Sequence, residues 1–192
     1  LMHVYSARFW PVPFLVKCLM LCILGGNPIT MNWHTIRVSM LDSVHSTQPR
    51  TVTLGAWVKA TKSSHLDTPK KARPALMPHG MFVGGRTANH CTTSSALIQF
   101  DIDVKDNPQL DRELVKRRCA QLPEVYFCAH SAGGGLWGLA KRAADVEDQL
   151  HWLEHALGVR LDKKNSKSLA ALRFASYDPQ PYEDRDIQQA AG

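Results

Sequence analysis

Ala96-Leu97-Ile98-Gln99-Phe100-Asp101-Ile102-Asp103 is the segment that most narrows what this chain can fold into. Its apolar residues recur with period two, the signature of a strand, and the run ends in two carboxylates that period two places on one face. Side-by-side carboxylates repel unless a cation lies between them, so D-x-D at a strand end is a natural seat for Mg²⁺ or Mn²⁺. Such ions keep positions open for phosphate oxygens. The plainer reading is a strand entering a polar loop, with Asp as a turn former. On the pair alone both readings stand.

The bulk of the chain suits a globular domain with a proper core: 192 residues, 44% hydrophobic and 21% charged. Its charge is basic, 23 Lys+Arg against 17 Asp+Glu. Between residues 50 and 100 stand Arg50, Lys59, Lys62, Lys70, Lys71, Arg73 and Arg86 against Asp67 alone. A basic lobe upstream of an acidic pair suits a polyanionic substrate whose reacting phosphate meets a cation, though a solvated surface carries the same residues. Five scattered cysteines show neither a disulfide framework nor paired C-x-x-C spacing, which predicts a reducing cytoplasm. Phe14–Leu24 is apolar apart from Lys17 but too short to span a bilayer, so no membrane partner is expected. Met31-Asn32-Trp33-His34 reads as an ordinary start, and residues 1–30 as an upstream or appended segment outside the domain.

Ile36, Val38 and Met40 share one face of a first strand over 33–41, and Thr51-Val52-Thr53-Leu54 leads into a short helix. Thr61–Pro78 reads as a basic, Pro-punctuated loop or poorly ordered helix. Ser94–Asp103 is the key strand. Asn107-Pro108 starts a helix running to about Cys119, Val125–Ala129 and Leu136–Ala140 form a hairpin, and Asp145–Leu157 is a helix stopped by Gly158. Val159–Asp162 and Leu172–Ala175 read as two last strands. The order β-α-β-β-α-β predicts an α+β fold: an RRM-like split βαβ antiparallel sheet with helices on one face, the other face open to ligand, and a small N-terminal α/β extension.

The hairpin turn, Ser131-Ala132-Gly133-Gly134-Gly135, lets backbone N–H groups approach a phosphate and adds a hydroxyl donor; glycine turns also occur for purely steric reasons. Asp162 is either a third carboxylate on the same face or a solvated residue before Lys163-Lys164.

These pieces resemble the primase-like N-terminal domain of VirE-type proteins of phages and mobile elements, within the archaeo-eukaryotic primase (primase-polymerase) superfamily. The resemblance runs through Val38–Asp42, Pro78-His79-Gly80-Met81-Phe82, Arg86, Ala96–Pro108, Ser131–Leu136, Leu161-Asp162 and Arg173-Phe174-Ala175-Ser176-Tyr177-Asp178-Pro179. It spans roughly 36–182, inside a domain drawn at 31–182 with a polar tail over 183–192. It implies a palm in which Asp101, Asp103 and Asp162 are catalytic and bind Mg²⁺ or Mn²⁺. Ser131, Gly133 and Gly135 would hold nucleotide phosphate, with Arg86 and Arg173 either joining them or pairing structurally with a carboxylate. Lys70, Lys71 and Arg73 would contact nucleic acid, and Trp137 would stack on a base or belong to the core. The implied activity is two-metal nucleotidyl transfer on single-stranded DNA from nucleoside triphosphates, beside a helicase. One departure stands out: the superfamily's second motif commonly carries a histidine shortly after its serine, and here Gly135-Leu136-Trp137-Gly138 has none. A degenerate nucleic-acid-binding module and a metal-dependent phosphoesterase are the other readings. His151-Trp152-Leu153-Glu154-His155 also matches H-x-x-E-H, a zinc pattern, and Lys163–Ser168 reads as a basic loop.

Overall fold

The computed structural model describes residues 32–63 and 66–184. In chain order these hold β1 (Arg37–Leu41), β2 (Arg50–Thr53), α1 (Leu54–Ser63), β3 (Ala75–Met77), β4 (Gly80–Phe82), β5 (Cys91–Ser94) and β6 (Leu97–Ile102). Then come α2 (Arg112–Cys119), β7 (Val125–His130), β8 (Leu136–Lys141), α3 (Val146–Leu157), α4 (Lys163–Lys167), β9 (Arg173–Phe174) and β10 (Tyr182–Glu183). Two antiparallel sheets, β2-β1-β3-β9 and β10-β7-β8-β6, and the β4-β5 ribbon make an α+β fold.

Period two in β6 sets the layers. Ile98, Phe100 and Ile102 face α2 and α3, packing with Val115, Leu150, Leu153 and Leu157. α3 follows its pattern closely: Asp145 caps it by accepting from the N–H of Asp148 at 2.9 Å, and Gly158 ends it in the left-handed region at φ 66°. The opposite face of the sheet is covered, which corrects the expected open face. Leu97, Phe127, Trp137 and Leu139 pack there against Val38 and Met40 of β1, Trp57 and Val58 of α1, and Leu76 of β3. The basic, proline-punctuated stretch hides β3, whose three residues are all buried.

Other boundaries shift for local reasons. The key strand does not run unbroken from Ser94, because Ala96 turns the chain at φ 58° and the Ser95 hydroxyl donates to the carbonyl of Pro78 at 2.7 Å. α2 starts at Arg112, with Asp111 as its cap, and not at Asn107-Pro108. Asn107 instead donates to the carbonyls of Asp103 and Arg160 and accepts from the N–H of Arg160. Val159–Asp162 forms no strand: the N–H groups of Arg160 and Leu161 are taken by the side chains of Asn107 and Glu154. A single strand-like bond survives, from the Asp162 N–H to the Asp101 carbonyl at 2.9 Å. Leu172–Ala175 contributes β9 to the first sheet, beside β3. The basic loop is the helical turn α4. The domain extends past 182, since Glu183 pairs with Phe127 and the Asp184 N–H bonds Tyr126. The expectation for residues 1–30 and most of the 183–192 tail lies outside the described residues.

Candidate functional site

β6 delivers Asp101 at its buried end and Asp103 just beyond it. Asp162 arrives from the α3–α4 connection, held against Asp101 by the backbone bond above and fixed as the cap of α4, its Oδ1 accepting from the Asn165 N–H at 3.0 Å. One carboxylate oxygen from each of the three lies within 4.8 Å of the others. Oxygens sharing one hard cation at about 2.1–2.4 Å stand about 3–5 Å apart, so the set fits Mg²⁺ or Mn²⁺ by donor type and spacing.

Asp101 is 7% exposed and gripped from one side. Its Oδ2 accepts from Arg173 Nη1 at 2.7 Å and from Asn165 Nδ2 at 3.1 Å. Gln99, on the same face of β6 and fully buried, accepts from Arg173 Nε and donates to the Asn165 carbonyl at 3.2 Å. These four residues close a ring. Asp103 meets Lys105 Nζ at 3.2 Å in a far more exposed setting. The hydrogen bond and charge of Asp103, with the charges of Asp106 and Asp162, raise the Lys105 pKa above its ordinary value.

The glycine-rich turn adjoins these acids. A Cβ on Gly135 would stand 2.0 Å from the Ile102 carbonyl oxygen and 3.4 Å from Asp103 Cα, so only glycine lets the turn close against the end of β6. The Ser131 N–H donates to the Gly135 carbonyl at 2.9 Å. Lys70 Nζ, 5.3 Å above the Phe174 ring, lies within 3.9 Å of a Cβ position at Gly133, and Arg112 Nη2 is equally near one at Gly134, where φ is 85°. The turn thus carries two cations and a hydroxyl.

Several expected roles change. Trp137 is 1% exposed and meets Phe127 edge-on at 5.1 Å, so its ring belongs to the core and offers no face to a base. Arg173 is buried against Asp101 and Gln99, its Nη1 on the carboxylate and its Nε on the amide oxygen. Arg73 donates to the carbonyls of Thr68, Leu66 and Ala175, tying the basic stretch to β9. Arg86 donates to the Val44 carbonyl, and no hydrogen bond or ion pair joins it to the acids among the described residues. Lys71 stays exposed. His130 is half-buried, and burial lowers its pKa; its N–H donates to Asp178.

The H-x-x-E-H pattern does not form a metal centre. His151 faces Lys163 and Glu147, while Glu154 takes Lys163 and the Leu161 N–H. Among the described residues, the Asp101–Asp103–Asp162 set is the one group of three or more such ligands close enough to share an ion. His151 and His155 instead line an open groove of about 560 Å³ with Asp106, Asn107 and Arg160, next to the loop that follows Asp103.

Four site residues escaped the sequence reading: Gln99, Asn165, Lys105 and Arg112. A polar residue at a core-facing strand position was the available signal for Gln99. Lys105 stands two residues from Asp103, whereas Asn165 and Arg112 depend on contacts between segments far apart in sequence. Comparison with protein-family models, curated proteins and solved structures returns no match to this chain.

Proposed function

We propose that this chain is a primase-polymerase-like nucleotidyltransferase that joins nucleotides on a single-stranded DNA template with Mg²⁺ or Mn²⁺, in replication of a mobile element or phage and beside a helicase. The convergence of Asp101, Asp103 and Asp162 carries the reading: three hard oxygen donors, from two segments, meet beside a glycine turn flanked by cations. The strand order β6-β8-β7, with α2 and α3 on one face, supports an RRM-like palm whose fourth strand is reduced to the bond from the Asp162 N–H to the Asp101 carbonyl. The free thiols of Cys91, Cys119 and Cys128 suit a reducing cytoplasm.

In this reading the three aspartates hold the ion, which neutralises polyphosphate charge and makes a 3′-hydroxyl easier to deprotonate. The protein's own contribution is placement. Ser131 and the turn around Gly133 and Gly135 bind phosphate oxygens, Lys70 and Arg112 neutralise them, and Arg173 fixes the direction of Asp101. Template contacts fall to exposed Lys70 and Lys71.

A second reading, a nucleic-acid-binding module without turnover, draws on one observation. Arg173 and Lys105 already pair with Asp101 and Asp103, so two of the three acids have counter-charges without an ion. One experiment separates the two: the full chain with Mn²⁺, single-stranded DNA and labelled dNTPs, beside Asp101→Ala/Asp103→Ala. Template-directed product from the wild type alone supports the enzyme; DNA binding with no product from either protein leaves the module.

A further inference from the structure

The acidic set has built-in counter-ions of two different kinds. Arg173 is 6% exposed and locked by bonds to Asp101 and Gln99, whereas the Lys105 side chain is 71% exposed and pairs with two carboxylates, Asp103 at 3.2 Å and Asp106 at 3.9 Å. The three ligand carboxylates against Arg173 and Lys105 leave a net charge of −1 before any ion arrives, or −2 with Asp106, which shares Lys105. A divalent cation would bring that to between 0 and +1, so it gains less here than at three uncompensated acids. An anionic oxygen brought in with the ion would restore the balance. The guanidinium on Asp101 points the same way, since its Nη2 is buried without an acceptor and the site holds one more donor than its own oxygens satisfy.

We propose that Lys105 is a displaceable counter-ion that makes cation binding at Asp101, Asp103 and Asp162 depend on a polyphosphate ligand. The inference rests on the metal reading above and adds an order to it: ion and polyphosphate enter together. Alone, the ion must displace Lys105 from Asp103 with no anionic ligand to receive the lysine. With polyphosphate, Lys105 exchanges the carboxylate for a phosphate oxygen. Arg173 stays in place throughout as a positioning residue, holding Oδ2 of Asp101 and leaving Oδ1 for the ion.

Equilibrium dialysis of the full chain tests this, at a free Mn²⁺ concentration fixed by a metal buffer, with and without inorganic tripolyphosphate. Excess manganese in the protein chamber is the readout, so chelation by free tripolyphosphate cancels. Wild type is expected to bind Mn²⁺ weakly alone and at least tenfold more tightly with tripolyphosphate. Lys105→Met is expected to bind Mn²⁺ alone about two- to fivefold more tightly, as for removal of one exposed ion-pair partner, with a smaller response to tripolyphosphate. Lys105→Arg, which keeps the charge, should restore wild-type behaviour, a rescue that a purely structural role for Lys105 would not produce. Equal Mn²⁺ affinity with and without tripolyphosphate, or unchanged binding in Lys105→Met, overturns the inference while leaving the metal reading intact. No manganese bound by wild type under either condition overturns the metal reading itself.

Discussion

Asp178, in the last of the motif segments, provides the sharpest test of how this site is braced. Its carboxylate is 1% exposed and accepts four bonds. Lys116 Nζ donates to Oδ1 and Oδ2 at 3.4 and 3.3 Å, the His130 N–H to Oδ2 at 2.9 Å, and the Gln180 N–H to Oδ1 at 3.0 Å. The neighbouring Ser176 hydroxyl donates to the His130 carbonyl at 2.6 Å, so both backbone groups of His130, just before the glycine turn, are held from this segment. In Asp178→Ala, the half-buried His130 N–H loses its acceptor, worth about 1–3 kcal/mol. Lys116 loses its buried partner, about 3–5 kcal/mol for a full buried pair. The lower end applies to Lys116, because Glu113 at 2.8 Å and the Gln180 carbonyl at 2.9 Å still hold its ammonium. Together these give about 4–6 kcal/mol, a large share of an ordinary domain's 5–15 kcal/mol. Asp178→Asn keeps one acceptor and the shape, and should lose about 3 kcal/mol by sparing the N–H bond. Urea unfolding followed by circular dichroism is the assay, with the m-value unchanged between variants. Adding Lys116→Met to Asp178→Ala should recover part of the loss by removing the stranded charge. An Asp178→Ala loss below about 1 kcal/mol would refute the reasoning, since neither buried bond would then matter.

His79 is 1% exposed; burial, with the charges of Arg142 and Arg173, lowers its pKa to about 4. The unfolded chain therefore takes up a proton below pH 6.5 that the folded one refuses, and stability should fall by about 2 kcal/mol from pH 7 to pH 5. His79→Leu should flatten that slope, and an equally steep slope in the variant would count against it. Gly135→Ala forces a methyl onto the Ile102 carbonyl and should destabilise by about 3 kcal/mol while weakening Mn²⁺ binding; wild-type stability would show the strands are not so close. Trp137→Phe should lower the unfolding midpoint without changing single-stranded DNA affinity, because the ring is in the core. A tenfold affinity loss at unchanged stability would return the base-stacking role to Trp137.

What could be read from sequence was whatever is written in local periodicity or capping. β6, the β7–β8 hairpin and α3 with Asp145 and Gly158 at its ends all follow from residues within one element. The D-x-D pair was legible for the same reason, and Asp162 came near it although its segment is not a strand. Long-range competition decided the rest. β3 is three residues long and needs β1 and β9 beside it, so no local pattern marks it. Asn107 looked like the start of a helix but spends its amide on Arg160 and Asp103. Arg173 and Trp137 each carried a nucleotide role and a structural one in the sequence, and both are buried, Arg173 on a carboxylate and Trp137 in the core. Coverage of a sheet face by a preceding layer leaves no trace in the strand that is covered, since a two-sided apolar strand and an open one share the same alternation near Gln99 and Asp101.

The most direct test is an anomalous-difference map from crystals of the full chain grown with Mn²⁺ and tripolyphosphate. A manganese peak bonded to carboxylate oxygens of Asp101, Asp103 and Asp162 is expected, with Arg173 still on Asp101 and a phosphate oxygen completing the coordination. Manganese elsewhere, such as at His151 and Glu154, or no peak with Lys105 still on Asp103, would contradict it.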